Sequence, residues 1–419
     1  MQSSRWSGPP GYWPSPWPGE DAGPARRQAP HGVAGPGVGR GDSFTVVARH
    51  DLLGATMPIL RDPGELYLLR NTLGPDTVAW VEQLDPETLA TVARSPDLAG
   101  GPFWPGGLAA HADGSLITVY GRWAHRLEPD LTVMAARALP EDRPYNSFVV
   151  LDDGSVVTKD FAGDGPASTL LVLDPSTLED RGPPVTMPEP SIGRLSADGQ
   201  AVQGQGITTA FRYEWDAAAG RLDQVKDWSR PYRTRADQSY GWDAVLDGGH
   251  VVFMDNGEHT YERAMTLVGQ GVAEGPVHLV RIPDAGGPPE LTPISGLPHG
   301  TQTNLPAVDP GRGIVVGYDS GNGVLSGFGL TEDALEPRWS RPLNAAMHMV
   351  RYPDTGELWV NDHRDGGDEI VLVDVETGED RGRAATGSPV QSVVFPAVGH
   401  DGALYYCSFT TVARVTVDR

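Results

Sequence analysis

Asp160, Asp255, Asp319 and Asp362 each stand six residues after a glycine, at Gly154, Gly249, Gly313 and Gly356. Three of them have an amide or a lysine alongside: Lys159 before Asp160, Asn256 after Asp255 and Asn361 before Asp362. Carboxylate and carboxamide oxygens gathered in one place are what a hard cation such as Ca²⁺ or Mg²⁺ requires, which makes Asp255, Asp319, Asn256 and Asn361 candidate metal ligands. With His348 and His363 added, the set would also suit Zn²⁺, Mn²⁺ or Fe²⁺. Lys159, Asp160, His348 and Asp362 are the candidate catalytic groups. A lysine taken out of water can bind an anionic group or act as a base, and carboxylate and imidazole can carry protons. Each residue also has a plainer role open to it. An aspartate at a strand end can simply accept backbone N–H groups and hold a turn. Lys159 can form a surface ion pair with Asp160, His348 can be a satisfied interior histidine, and His363, within "NDHRDGGDE", can be exposed.

The elements that would position these residues recur along the chain. From Asp42 onward the unit is an apolar run, an Asp-rich turn with a glycine, a second apolar run, a third ending in a phrase such as "LDP", and a looser fourth. "LAAHADGSLITVYG", "FVVLDDGSVVTKDF" and "PAVDPGRGIVVGYDSG" are three copies. The turn glycines are Gly64, Gly114, Gly154, Gly199, Gly249, Gly313, Gly356 and Gly402, at intervals of 50, 40, 45, 50, 64, 43 and 46 residues. Short strands repeating at 40–50 residues, without sustained helical periodicity, predict an all-β chain folded as an eight-bladed β-propeller. Seven blades is the alternative, with the long interval after Gly249 as the irregular place.

The last unit, "TVARVTVDR", is one strand short, whereas "SFTVVARHDLL" at 43–53 reads as an outer strand without inner ones. The N-terminal strand is therefore expected to complete the last blade and remove an exposed edge. In such a ring the glycine turns share one rim and the four aspartates leave on the other. Asn146, Tyr120, Trp242, Asn304, Asn322 and His363 are expected to face a substrate there, although Trp242 would equally suit packing between blades. Glu258, His259 and Glu262, in "DNGEHTYE", offer further acid–base groups on an adjoining loop.

Residues 1–41 are dense in proline and glycine, with Trp6, Trp13 and Trp17 among few aliphatic residues, and read as a disordered tail ahead of a propeller spanning 42–419. The tryptophans could dock on a protein partner or on the body of the molecule. The net charge of −23 disfavours a nucleic acid or an anionic membrane surface as partner. Only Lys159 and Lys226 are lysines among 32 basic residues, which gives the position of each some weight. Cys407 stands alone, which excludes an intrachain disulfide and a multi-cysteine metal site. No apolar run approaches the ~18 residues of a membrane span, and the first residues lack a basic-then-apolar leader. A soluble, cytoplasmic protein is expected.

"DPGRGIVVGYDS" and "LSADG" resemble phrases of the SMP-30/gluconolactonase and strictosidine-synthase-like propellers, in which a similar strand ends in Asp-Ser. That resemblance implies a metal-dependent lactonase or esterase site at the channel, with Asp319 at the matching ligand position. "LDPETL" and its relatives resemble quinoprotein-type eight-bladed propellers. The adjacent cysteine pair and tryptophan docking motifs of that family are missing, so no pyrroloquinoline quinone is expected. There is no Gly-x-Ser-x-Gly elbow for serine chemistry, and "GQGVAEG" is too irregular for a dinucleotide fingerprint. The expectation is a propeller enzyme acting on a small organic molecule in its axial pocket, hydrolysing a lactone or ester through a divalent ion or through lysine and carboxylate acid–base catalysis without one. A non-hydrolytic isomerase, lyase or cyclase and a non-catalytic interaction scaffold are the alternatives.

Overall fold

A computed structural model describes residues 8–39, 41–50, 52–74, 76–145, 147–257, 265–271, 273–332 and 334–419. Eight antiparallel sheets form a ring, an eight-bladed β-propeller, and the only helical element among these residues is a single 3₁₀ turn, Glu20–Ala22. Blade 3 shows the plan: Phe148–Val150 lines the axis, followed outward by Val156–Lys159, Thr169–Leu173 and Val185–Thr186. Innermost strands of most successive blades touch, and the innermost strand of blade 8, Ala397–Val398, meets that of blade 1, Ala55–Leu60. Closure is as the sequence implied: Ser43–Arg49 is the outer strand of blade 8, paired antiparallel with Val412–Asp418.

Burial follows from position in the blade. Inner strands such as Leu66–Asn71 are buried at every residue, because neighbouring blades cover both faces of each sheet. Outer strands such as Val133–Ala138 alternate between half-buried and exposed. All eight turn glycines have φ between 61° and 92°, a conformation that side-chain-bearing residues seldom adopt, which is why the period is written in glycine. The long interval after Gly249 lies in blade 5, between His250–Met254 and His278–Pro283, and that blade keeps its four strands.

The N-terminal segment differs from the expectation of a disordered tail. From Pro9 to Val38 it is a strap across the glycine-turn rim, with Tyr12, Trp17, Glu20, Asp21, Arg26 and Gln28 buried. An innermost strand has a sheet neighbour on one side only, so its axial edge carries N–H groups that need acceptors. The strap supplies them. Leu60, Ala110, Ala197, Leu246 and Arg351 donate their N–H groups to the carbonyls of Trp17, Pro18, Pro24, Ala25 and Gln28 at 2.7–2.9 Å. Tyr12 Oη accepts from Val150 N at 3.0 Å, and Gln28 Nε2 donates to Pro306 O at 2.7 Å. A proline-rich segment suits this role: it offers carbonyls, brings few N–H groups of its own, and has less conformational freedom to lose. The tryptophan question is thereby answered for two of the three. Trp13 donates to Asp62 Oδ1 at 3.1 Å and lies under the Arg61 guanidinium, while Trp17 is buried in the core; Trp6 lies outside the described residues.

Candidate functional site on the propeller axis

Ser147 and His348, near the starts of the innermost strands of blades 3 and 7, meet the strap. Arg26 holds Glu20 Oε2 at 2.7 Å, Asp21 Oδ2 at 2.9 Å and Leu195 O at 2.7 Å. Glu20 Oε2 also accepts from Ser147 Oγ at 2.8 Å, and His348 Nδ1 donates to Asp21 Oδ1 at 2.7 Å. Burial alone would push the Asp21 carboxyl up, but His348 and Arg26 together hold it below the usual carboxylate range. The carboxylates at this end of the axis are paired with cationic and hydroxyl groups, while His348 Nε2 has no hydrogen-bond partner among the described residues.

The other end is arranged differently. Lys159, the last residue of Val156–Lys159, is buried and directs Nζ to Ser191 O at 3.0 Å and Asp160 O at 3.5 Å. Its amine also lies 4.2 Å from the centre of the Phe161 ring. Among the described residues no carboxylate oxygen pairs with it, because its acidic neighbours are committed elsewhere. Asp160 binds Arg143 Nη1 at 2.7 Å and Thr169 N at 2.6 Å. Asp243 binds Arg194 N at 2.7 Å and Arg194 Nη1 at 2.9 Å. Burial therefore dominates and brings the Lys159 pKa down to about 7. The expected surface ion pair with Asp160 is not formed.

Aromatic rings close this end. Trp104 stacks on Phe161 at 5.7 Å and lies 5.9 Å from Trp242, which is buried. Trp104 is only half-buried and belongs to residues 102–107, which lead into the innermost strand of blade 2. Gly106 and Gly107, at φ 107° and 95°, give that loop its bend. Its base is tied to the strap and the axis: Gly107 N donates to Glu20 Oε1 at 3.0 Å, and Arg194 Nη2 donates to Pro105 O at 2.8 Å.

The four aspartates do stand at equivalent strand ends, but each is consumed within its own corner. Asp255 accepts His278 N at 2.6 Å and His278 Nδ1 at 2.9 Å, and burial raises its pKa against those bonds. Asp319 accepts Ser295 Oγ, Asn322 Nδ2, Thr301 N and Asn322 N at 2.6–3.2 Å. Asp362 accepts Asn344 N at 2.9 Å and pairs with Arg383 at 3.0 Å and Arg364 at 2.5 Å. The amides are engaged too. Asn361 Oδ1 accepts Ala346 N and Met347 N at 2.9 Å. Asn256 has φ 56°, a conformation asparagine tolerates, and its Oδ1 accepts Ser239 N at 2.5 Å. These lone pairs fasten loops, so the expected metal-ligand set of Asp255, Asp319, Asn256 and Asn361 does not fit a metal. Among the described residues no three His, Cys, Asp or Glu side chains are grouped to hold one.

The remaining candidates divide similarly. His348 belongs to the strap-binding end, stacked on Phe395 at 4.0 Å, and Asp362 is locked in ion pairs, so neither joins Lys159 as a catalytic group. Asn304 Nδ2 donates to Ala346 O at 2.6 Å and spans neighbouring blades. Asn322 caps the Asp319 corner. His363 is buried rather than exposed, 3.7 Å from Asp368 Oδ1, and Tyr120 is buried in its blade. Of the described substrate-facing candidates only Trp242 lies with Lys159, through Trp104 and Phe161. Asn146, Glu258, His259 and Glu262 lie outside the described residues. Sequence reasoning missed Trp104, Phe161 and Arg194, and it missed Glu20, Asp21 and Arg26. Adjacent carboxylates followed by an arginine inside an otherwise uncharged "PWPGEDAGPAR" segment were the available signal.

Neither a protein-family model nor a curated protein sequence matches this chain. Solved structures do share its fold. The crystal structure of quinohemoprotein alcohol dehydrogenase from Comamonas testosteroni is similar with a TM-score of 0.64 and 11% identity, over 98% of this chain and 81% of that one. Dihydro-heme d1 dehydrogenase NirN in complex with DHE is similar at 0.54 and 18% identity, over 86% of this chain and 73% of that one. The Neurospora crassa Pan2 WD40 domain is similar at 0.52 and 10% identity, over 89% and 95%. At such identities the likeness establishes the propeller fold and nothing finer.

Proposed function

We propose that this propeller binds and acts on a small organic molecule at the Trp104 end of its axis, with Lys159 as the reacting amine. The observation that carries this reading is a buried lysine whose Nζ, among the described residues, meets carbonyl oxygens and an aromatic face, beneath three aromatic rings. An amine in water is almost wholly protonated at pH 7, whereas one with a pKa of about 7 is half neutral and therefore nucleophilic or basic. With the carboxylates and carboxamides of the rim engaged in hydrogen bonds, amine chemistry of an isomerase, lyase or cyclase type takes precedence over metal-assisted hydrolysis. Access requires the loop at 102–107 to swing aside, as catalytic lids do.

A limiting amount of acetic anhydride at pH 7, followed by peptide mass mapping, tests this directly, because the chain's only other lysine, Lys226, is exposed and serves as internal reference. Lys159 should acetylate at least as fast as Lys226 despite its burial. Labelling confined to Lys226 would end the reading. A second reading, a non-catalytic protein-binding platform, is favoured by exposed Met265, Val268 and Leu297 around the Asn322–Gly323 turn.

A further inference from the structure

We infer that the molecule handled at Lys159 carries an aldehyde or ketone and that the amine captures it as an imine; this rests on the reading of the Trp104 end as a reactive small-molecule site. Three features of the surroundings separate carbonyl capture from proton abstraction.

The first is that no proton relay reaches the amine among the described residues. Lys159 Nζ is bonded to the carbonyls of Ser191 and Asp160, which accept hydrogen bonds but neither give nor take a proton. Asp160 is tied to Arg143 and Asp243 to Arg194, and ion-paired carboxylates are poor partners for proton exchange. Repeated acid–base turnover needs a path that returns the proton. A nucleophile needs its own lone pair to form the C–N bond, and the two protons that leave with the oxygen come from the amine itself.

The second is burial. It brings the Lys159 pKa down although Asp160 and Asp243 favour the protonated form, and the Arg194 guanidinium adds to the lowering. The third is the wall. Phe161 lies against the amine, with Trp104 and Trp242 beyond it, and together they form a lining for an apolar or aromatic body attached to the carbonyl.

The step balances without any further reagent. The Nζ lone pair attacks the carbonyl carbon, the C=O π pair moves to oxygen, and an amine proton passes to that oxygen to give the carbinolamine. The C–O bond then breaks as oxygen leaves with a second proton as water, and the nitrogen lone pair forms C=N. Nothing is oxidised or reduced.

The full-length protein is incubated at pH 7 with benzaldehyde and sodium cyanoborohydride, which fixes an imine as a stable amine, and its peptides are mapped by mass. Lys159 should carry the benzyl group at least about tenfold more than Lys226, since the neutral fraction grows up to about tenfold with each unit of pKa depression. Glyoxylate, a charged carbonyl, should label Lys159 less than benzaldehyde does. Equal benzyl labelling of the two lysines, with Lys159 still singled out by acetic anhydride, would overturn the imine and leave the amine site standing. If neither reagent reaches Lys159, both ideas fall together.

Discussion

The two ends of the axis hold similar numbers of charged side chains and treat them in opposite ways. At the strap end, Glu20, Asp21 and Arg26 are buried, paired and hydrogen-bonded to the ring. At the Trp104 end, the nearby carboxylates belong to Arg143 and Arg194, and Lys159 is left without a counter-ion. Burial is nearly the same at both ends, so desolvation alone does not separate them. What differs is pairing: a paired group keeps its charge in the interior, and an unpaired one gives it up. The first arrangement holds a structure closed. The second leaves a buried amine with no carboxylate paired to it among the described residues.

Removing a pair should therefore cost most. Arg26→Met leaves the Glu20 and Asp21 carboxylates buried with their cation gone, and truncating one side of a buried pair costs about 3–5 kcal/mol. Urea unfolding at pH 7 measures it. A loss below about 1 kcal/mol would mean that the strap is not seated in the axis, and the contrast between the ends would dissolve.

Lys159→Met should act in the opposite direction and depend on pH. In the folded protein the amine's pKa is about 7, against 10.5 for an ordinary lysine. Between those values the unfolded chain binds more protons than the folded one, so wild-type stability rises with pH across that window. Below pH 7 the penalty is constant and complete. The variant lacks it, so it should exceed wild type by roughly 2–4 kcal/mol at pH 7, with the difference shrinking towards pH 10. A difference that is flat with pH would show that Lys159 keeps its charge when folded.

These contrasts were unequally legible in the sequence. Blade number, closure and the glycine turns could be read because each is a local conformational demand repeated in register, as at Gly154 and Gly402. The aspartates were equally visible, but their purpose was not. Asp319 has one spacing from its glycine whether it binds a cation or the Thr301 and Asn322 N–H groups, and only the loop path decides which. The strap was misread for a related reason. Its burial depends on acceptors matching N–H groups on strands tens to hundreds of residues away, and composition does not register such a match. Glycines record it faintly: a Cβ at Gly11 would collide with Leu151 O, and one at Gly35 with Thr355.

The smallest effect concerns the link between the ends. Glu20 divides its carboxylate, Oε2 towards Arg26 and Ser147 and Oε1 towards the N–H of Gly107 at the foot of the Trp104 loop. The strap thus reaches along the axis to fix the element that covers Lys159. Glu20→Ala removes both functions, whereas Glu20→Gln keeps an oxygen for Gly107 while weakening the bond to Arg26. Loss of one hydrogen bond to a charged acceptor, about 1.5–3 kcal/mol, corresponds to tenfold or faster amide exchange across 102–107 in the alanine variant, beyond any general rise elsewhere. In the glutamine variant those amides should exchange close to the wild-type rate even though global stability falls. Equal acceleration in both variants would place the loop under the ion pair rather than under the Gly107 contact, and the two ends would then be one cooperative unit.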